Sequence, residues 1–324
     1  MRAIKASIVA RIRHAISIGG SLIRPHSSQT LCNDWSNEDY SCKLARKASK
    51  LVRELASSYL WGLSRSRVKG VGLEYVGLRD YHPGDDIKYV EWRATARRIN
   101  PDGSYRLVVK EFEDERLRET IILLDKPKSL KYFNKVYAAS YAASLLASYS
   151  LSLGDRLAIL HEGEGGCMAS YPTSISEALA LISKHYCERS WRQLDTCLKL
   201  ASRIASPRST IVMVSDYSVS KSAIRCLYRI TRSKNTSTLL MLTYSVKEVK
   251  PPVVDGYVML VGDDGKSIKA SLHEFYSAVQ SYVAELKAYV KALSIPLTTL
   301  CVENLMEATP LIIRRYLEAR MRLA

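Results

Sequence analysis

The residues best suited to do chemistry are four carboxylates. Asp85 and Asp86 stand together, and Glu111 and Glu113 follow further on. Clustered carboxylates can hold Mg²⁺ and activate a water for hydrolysis. A nuclease of the P-D…(D/E)-x-K kind needs an acid two residues before its lysine. Val108 stands two before Lys110, so a metal-dependent hydrolase ranks third among the function classes. The histidines at 14, 26, 82, 161, 185 and 273 form no close pair and no H-E-x-x-H. Satisfied surface or core roles are their default. Neither G-x-S-x-G nor G-x-x-x-x-G-K-[ST] occurs. Gly163-Glu164-Gly165-Gly166 reads as a turn, not a phosphate cradle. No catalytic residue and no small-molecule substrate emerges, and the chain is expected not to be an enzyme.

The carboxylates sit in a stretch dense in unusual residue types. It runs through Gly70, Gly72, Glu74 and Tyr75, then Arg79-Asp80-Tyr81-His82-Pro83-Gly84-Asp85-Asp86, then Glu91-Trp92-Arg93 and Arg97. Glu111-Phe112-Glu113 closes it. Arginine suits two-pronged pairing with carboxylates. Trp92 would supply a large apolar anchor with one N–H to satisfy. One reading locks turns and strands together through buried ion pairs. A second presents a polar docking surface to a partner. A third, the weakest, is catalysis by the carboxylates.

Several elements must position these residues. Leu44, Ala48, Leu51, Leu55 and Tyr59 fall on one helical face, which predicts a helix from Lys43. Residues 19–41 carry turn chemistry and read as a linker. Two tight turns are expected, at His82-Pro83-Gly84-Asp85 and Asn100-Pro101-Asp102-Gly103, with a strand Tyr105–Val109 after the second. From 119 onward strands and helices alternate. Candidate strands are Thr120–Leu124, Arg156–His161, Thr210–Ser215, Thr238–Thr243, Tyr257–Val261 and Pro296–Val302. Helical spacing links Val136, Ala139, Ala143 and Leu146, and again Phe275, Val279, Val283, Leu286 and Val290. That alternation implies an α/β fold with a mostly parallel sheet and helices on both faces. The helical tyrosines, Tyr132, Tyr137, Tyr141 and Tyr149, read as packing residues whose hydroxyls reach water.

The domains expected are a basic N-terminal segment with linker and amphipathic helix over 1–60, a small β-rich module over 61–118, and the α/β domain over 119–324. The 324 residues are 47% hydrophobic and 25% charged, an ordinary globular balance. The net charge is +16, and residues 1–70 hold 13 Lys and Arg against 4 Asp and Glu. Such a field attracts nucleic acid, an anionic membrane surface or an acidic protein. The seven cysteines form no C-x-x-C, and their closest pairs are Cys32 with Cys42 and Cys187 with Cys197. Buried or free thiols in a reducing compartment are the expectation. No apolar run reaches the length of a membrane span. The segment Ile4–Ile18, broken by Lys5, Arg11 and Arg13, could lie on a membrane as a basic amphipathic helix. The localisation expected is cytoplasmic, with a membrane-peripheral position as the variant.

The motif run resembles the signature of the domain of unknown function 58 family. That signature is close to G-x-G-x-E-F, R-x-Y-x-P-G-D-D, I-D-W-x-x-x-A-R and V-x-E-F-E-x-E. Tyr75 stands where the family has Phe, and Val90-Glu91-Trp92 stands for Ile-Asp-Trp. The matches cover about 65–118, and the order of elements fits to the C-terminus. The resemblance implies a von Willebrand factor A-like domain after the motif and a MoxR-type AAA+ ATPase as partner. It attaches no enzymatic activity.

The same resemblance implies a metal-ion-dependent adhesion site. Its core is D-x-S-x-S after the first strand, completed by a Thr and an Asp from later loops. Asp125 and Ser129 match, and Asp216 matches the last Asp. Pro127 replaces the first Ser and has no side-chain oxygen. Lys126 and Lys128 bring positive charge beside the ion. The loop near Ser190–Asp195 has no Thr that aligns, and Thr196 falls inside the next helix. The site reads as degenerate. No cofactor is expected, Mg²⁺ being the one candidate, and a lysine could replace the cation by pairing with Asp125 or Asp216.

The function expected is a non-enzymatic protein-interaction module that works with the ATPase in assembly or maturation of another complex. The rival is a nucleic-acid or anionic-membrane binder using the basic N-terminal region.

Overall fold

The run Ile121-Ile122-Leu123-Leu124 is buried on both sides, as a strand inside a parallel sheet must be. A computed structural model of the chain describes residues 22–25, 38–64, 73–99, 103–114, 118–163, 166–188, 194–250, 256–261 and 267–322. Contacts divide the chain into a smaller unit, Gly62–Leu117, and a larger one of Met1–Trp61 with Arg118–Ala324.

The larger unit is built on a six-stranded sheet. Its strands are β4 (Glu119–Leu124), β5 (Arg156–Gly163), β6 (Gly166–Ser170), β7 (Thr210–Asp216), β8 (Ser237–Tyr244) and β11 (Leu297–Cys301). They lie in the order β11-β8-β7-β4-β5-β6. All neighbours are parallel except β5 and β6, which pair antiparallel with Gly163 opposite Gly166. The expected turn at 163–166 is thus a hairpin, and β6 is a strand the sequence reading missed. The strand order reverses between β4 and β7. In open sheets of this kind the crevice at that reversal, beyond the strands' C-terminal ends, is where ligands bind.

Alternation along the strands feeds two cores. Ile121, Leu123, Ile211, Met213, Leu240 and Leu242 face α5 (Leu194–Ile204), α6 (Lys221–Lys234) and α8 (Leu272–Ala292). Ile122, Leu124, Val212, Val214, Leu239 and Met241 face α1 (Glu38–Ser64), α3 (Lys135–Ser152), α4 (Ile175–Cys187) and α9 (Thr309–Met321). Helix α3 is buried nearly all round, and its Ala and Ser residues let its neighbours come close. Ser49 of α1 lies 3.3 Å from Ser144 of α3 and 2.8 Å from Ser183 of α4, oxygen to oxygen. Serine caps start α4, α6 and α8: Ser174, Ser220 and Ser271 each accept an N–H three residues on. At α8 the Glu274 side chain returns the bond, completing a capping box.

Several expectations are corrected. Helix α1 starts at Glu38, not Lys43, and packs Ala45, Ala48 and Val52 into the core. Part of the supposed linker is a strand: β1 (Leu22–Pro25) pairs antiparallel with β9 (Tyr257–Val261), which also pairs with β10 (Ser267–Ser271). The thiol reading fails, because Cys42 is disulfide-bonded to Cys187 and Cys167 to Cys197. These tie α1 to α4 and β6 to α5. Cys226 and Cys301 are free thiols, and Cys32 lies outside the described residues. Tyr141 does not reach water, since it is fully buried with its hydroxyl 2.6 Å from Thr309 Oγ1. Among the described residues no helix is long and apolar enough to cross a membrane. The segment Ile4–Ile18 lies outside them.

The smaller unit holds two antiparallel strands, β2 (Leu73–Asp80) and β3 (Val108–Asp114). The strand expected at Tyr105–Val109 starts at Val108 and carries the acidic run instead. Between the strands lie a 3-10 turn, Ile87–Tyr89, and a one-turn helix, α2 (Trp92–Thr95). Gly84 takes φ +109°, the left-handed conformation the Pro-Gly turn requires. Val90, Val108 and Val109 are buried, and Thr95 Oγ1 accepts the Val108 N–H at 3.1 Å.

Candidate functional site

Two groups of the singled-out residues come together, one in each unit. In the larger unit they meet at the reversal of strand order. Asp125 follows β4 and its N–H donates to Val214 O at 3.0 Å. Its Oδ2 accepts the Ser215 hydroxyl at 2.6 Å. Asp216 ends β7 on the same side as Val212 and Val214, the side that faces α3. Ser129 donates to Asp216 Oδ2. Ser218 donates to Asp216 Oδ1 through its hydroxyl at 2.6 Å and its N–H at 2.9 Å.

The third partner of the Asp216 carboxylate is one the sequence did not single out. Lys135, the first residue of α3, donates to Asp216 Oδ2 at 2.8 Å. It also donates to Glu248 Oε1 at 2.7 Å, on the short helix α7 (Val246–Val249). Lys135 and Asp216 are each 1% exposed. Burial works against the ammonium, but Asp216 and Glu248 outweigh it and raise its proton affinity. Burial likewise pushes the Asp216 carboxyl up. Lys135, with the bonds from Ser129 and Ser218, overcomes that and holds it below the ordinary carboxylate range. Glu248 goes the other way: burial raises it, and Asp216 adds to the rise against the pull of Lys135. Ser129 beside Asp216 is buried. One buried ammonium thus faces two carboxylates.

The two lysines suspected from sequence behave differently. Lys126 is buried and turns away, donating to His185 O at 2.9 Å and to Glu188 O. Lys128 is exposed. The loop residues Ser190–Gln193 lie outside the described residues, and Thr196 falls within α5 as expected. His185 departs from the satisfied role expected of it, for it is 1% exposed and neither ring nitrogen has a hydrogen-bond partner. Among the described residues no group of three or more His, Cys, Asp or Glu could hold a metal ion.

In the smaller unit Arg79 and Asp85 form the two-pronged pair anticipated. Both Nη atoms donate to Asp85 at 2.7 Å, and the His82 N–H adds a third bond at 2.8 Å. The Arg79 hydrogen bond pulls the Asp85 carboxyl well below the usual range. Asp80 pairs with Arg98 and Arg106, Asp86 with Lys88, and Glu91 with Lys110. These pairs are not buried, which corrects the interior-lock reading: the Arg79 side chain is 38% exposed. Trp92 is not an apolar anchor either, being 60% exposed. Arg93 and Arg97 beside it are exposed. Ile99 and Tyr105, paired across a bridge, are 62% and 63% exposed. Glu111 is exposed; Tyr81 is half-buried, while Pro83 and Gly84 are exposed. Register sets Glu74 opposite Glu113 and Tyr75 opposite Phe112. Gly70 and Gly72 lie outside the described residues.

A family model described as "Protein of unknown function DUF58" matches residues 77–255, more than half of the chain. No curated protein matches. Two solved structures are similar at 14% identity. One is the conserved hypothetical protein BatB from Bacteroides thetaiotaomicron, with a TM-score of 0.37 over 62% of this chain and 98% of that one. The other is an aerotolerance-related membrane protein from Bacteroides fragilis NCTC 9343 with multiple mutations to serines, with a TM-score of 0.36 over 62% and 99%.

Proposed function

This chain belongs to the DUF58 family of proteins of unknown function, and from that premise we propose that it is a non-enzymatic protein-interaction module whose larger unit is von Willebrand factor A-like. The sheet order, with its reversal between β4 and β7 and its single antiparallel edge strand, supports the second half of that reading. The first half rests on Trp92. A tryptophan 60% exposed beside two exposed arginines is the composition of an interaction hot spot rather than of ordinary surface. The carboxylates around it are already paired with arginine and lysine, which leaves them ill-suited to activate water.

The partner proposed is a MoxR-type AAA+ ATPase, acting in assembly or maturation of another complex. The experiment is a pull-down with a nucleotide-loaded ATPase of that class. Wild-type protein is expected to retain it and Trp92→Ala to lose it at unchanged stability. Equal retention by both would remove Trp92 as the contact. No retention by either would remove the partner.

A further inference from the structure

We propose that the Lys135 ammonium is a built-in replacement for a divalent cation, so that the crevice at the end of β7 is complete without metal. Oxygens from three separate segments converge there: Ser129 after β4, Asp216 and Ser218 at the end of β7, and Glu248 on α7. Carboxylates and hydroxyls gathered in this way are the hard donors that Mg²⁺ and Mn²⁺ take. The position between Asp216 and Glu248 is nevertheless filled. Lys135 Nζ sits 2.8 Å from one carboxylate and 2.7 Å from the other. An ammonium has no lone pair to offer a metal, and a second cation beside it meets direct repulsion in a site shielded from water. Pro127, in the same loop as Ser129, offers no side-chain oxygen. The residues present therefore do not fit a divalent ion.

Local preference does not explain the lysine. Lys135 opens an 18-residue helix, at the end where the helix dipole disfavours positive charge. It is 1% exposed, and lysines are almost never buried so fully unless paired. What holds it is the oxygen set itself, so the lysine and the oxygens form one unit. In a metal site a partner's carboxylate could complete the ion's coordination; here the ammonium is sealed inside and offers a partner nothing. Partner contact by the larger unit is then independent of divalent cations. This inference stands apart from the Trp92 surface, and its test uses no partner.

The test is calorimetric titration of the full chain with Mn²⁺ and with Mg²⁺, read beside the melting temperature. Wild-type protein is expected to give no saturable binding and no shift. Lys135→Ala vacates the position and is expected to gain stoichiometric Mn²⁺ binding with a raised melting temperature. Adding Asp216→Asn to Lys135→Ala is expected to abolish both gains. Saturable binding by the wild type that Asp216→Asn removes would overturn the proposal. So would a folded Lys135→Ala that gains no binding. If Lys135→Ala does not fold in metal-free buffer, refolding with Mn²⁺ decides: recovery of the native circular dichroism spectrum supports the proposal, and failure to recover it overturns it.

Discussion

Arg320 grips Asp155 with a fork: Nη2 donates to Oδ1 at 2.7 Å and Nε to Oδ2 at 3.0 Å. The carboxylate is 1% exposed and also accepts the Tyr316 hydroxyl at 2.9 Å and that of Thr120 at 3.2 Å. The pair fastens the last turn of α9 to the start of β5, and Thr120 brings in β4. Arg320→Ala leaves a buried carboxylate without its cation, which typically costs ~3–5 kcal/mol. Urea unfolding should show that loss, and Arg320→Lys should recover only part of it because the fork is gone. A cost below ~1 kcal/mol, the range of exposed pairs, would mean the fork is not formed.

His185 should make the fold acid-sensitive. Burial, with Lys126 and His161 nearby, lowers its proton affinity well below the ordinary value of 6.5. The unfolded chain therefore binds the proton first. Stability is complete above pH 6.5 and falls as pH drops from there toward the folded value. The slope from this one group approaches ~1.4 kcal/mol per pH unit. His185→Phe should flatten the stability profile over that window. A profile with the same slope in both proteins would remove His185 as the cause.

Asp85 should behave in the opposite part of the scale. Its folded carboxyl titrates below the ordinary 3.8 because Arg79 and the His82 N–H hold the ion. Its contribution is complete above that ordinary value and vanishes as pH falls through the folded one. Carboxyl NMR of Asp85 should show it still ionised where free aspartate is half protonated. In Arg79→Ala the titration should move back up.

Trp92→Ala should leave stability within ~0.5 kcal/mol, as exposed substitutions away from special features do. A loss of several kcal/mol would return Trp92 to the role of anchor.

Much of the sheet is legible in the sequence because buried parallel strands are continuous apolar runs. Thr120–Leu124 misses only Glu119, and Thr210–Ser215 misses only Asp216. β6 is not legible: Gly166-Cys167-Met168-Ala169-Ser170 is short and small, with no run of β-branched residues. The site was half visible. Asp125, Ser129 and Asp216 were legible through the resemblance to the adhesion-site pattern, which names strand-end positions. Lys135 was not, since a lysine opening a helix looks like surface until the oxygens that bury it are placed around it. Trp92 misled for the converse reason: aromatic bulk predicts burial, and only the fold reveals that α2 turns it outward. The cysteine pairs were hidden because partners 145 and 30 residues apart have no local signature.

Reduction of both disulfides should destabilise the larger unit by ~2–5 kcal/mol for each native bridge lost. Thiol counting before and after reduction in denaturant would reveal four additional reactive cysteines, those at 42, 167, 187 and 197. An equal count before and after would exclude the bridges.

The Cys42–Cys187 bond has a topological consequence as well. The chain it closes into a ring contains the whole of Gly62–Leu117. A protease that nicks the smaller unit would open that ring without producing two molecules. On a non-reducing gel the clipped protein should still run as one covalent species, and fragments should part only when the bridge is reduced.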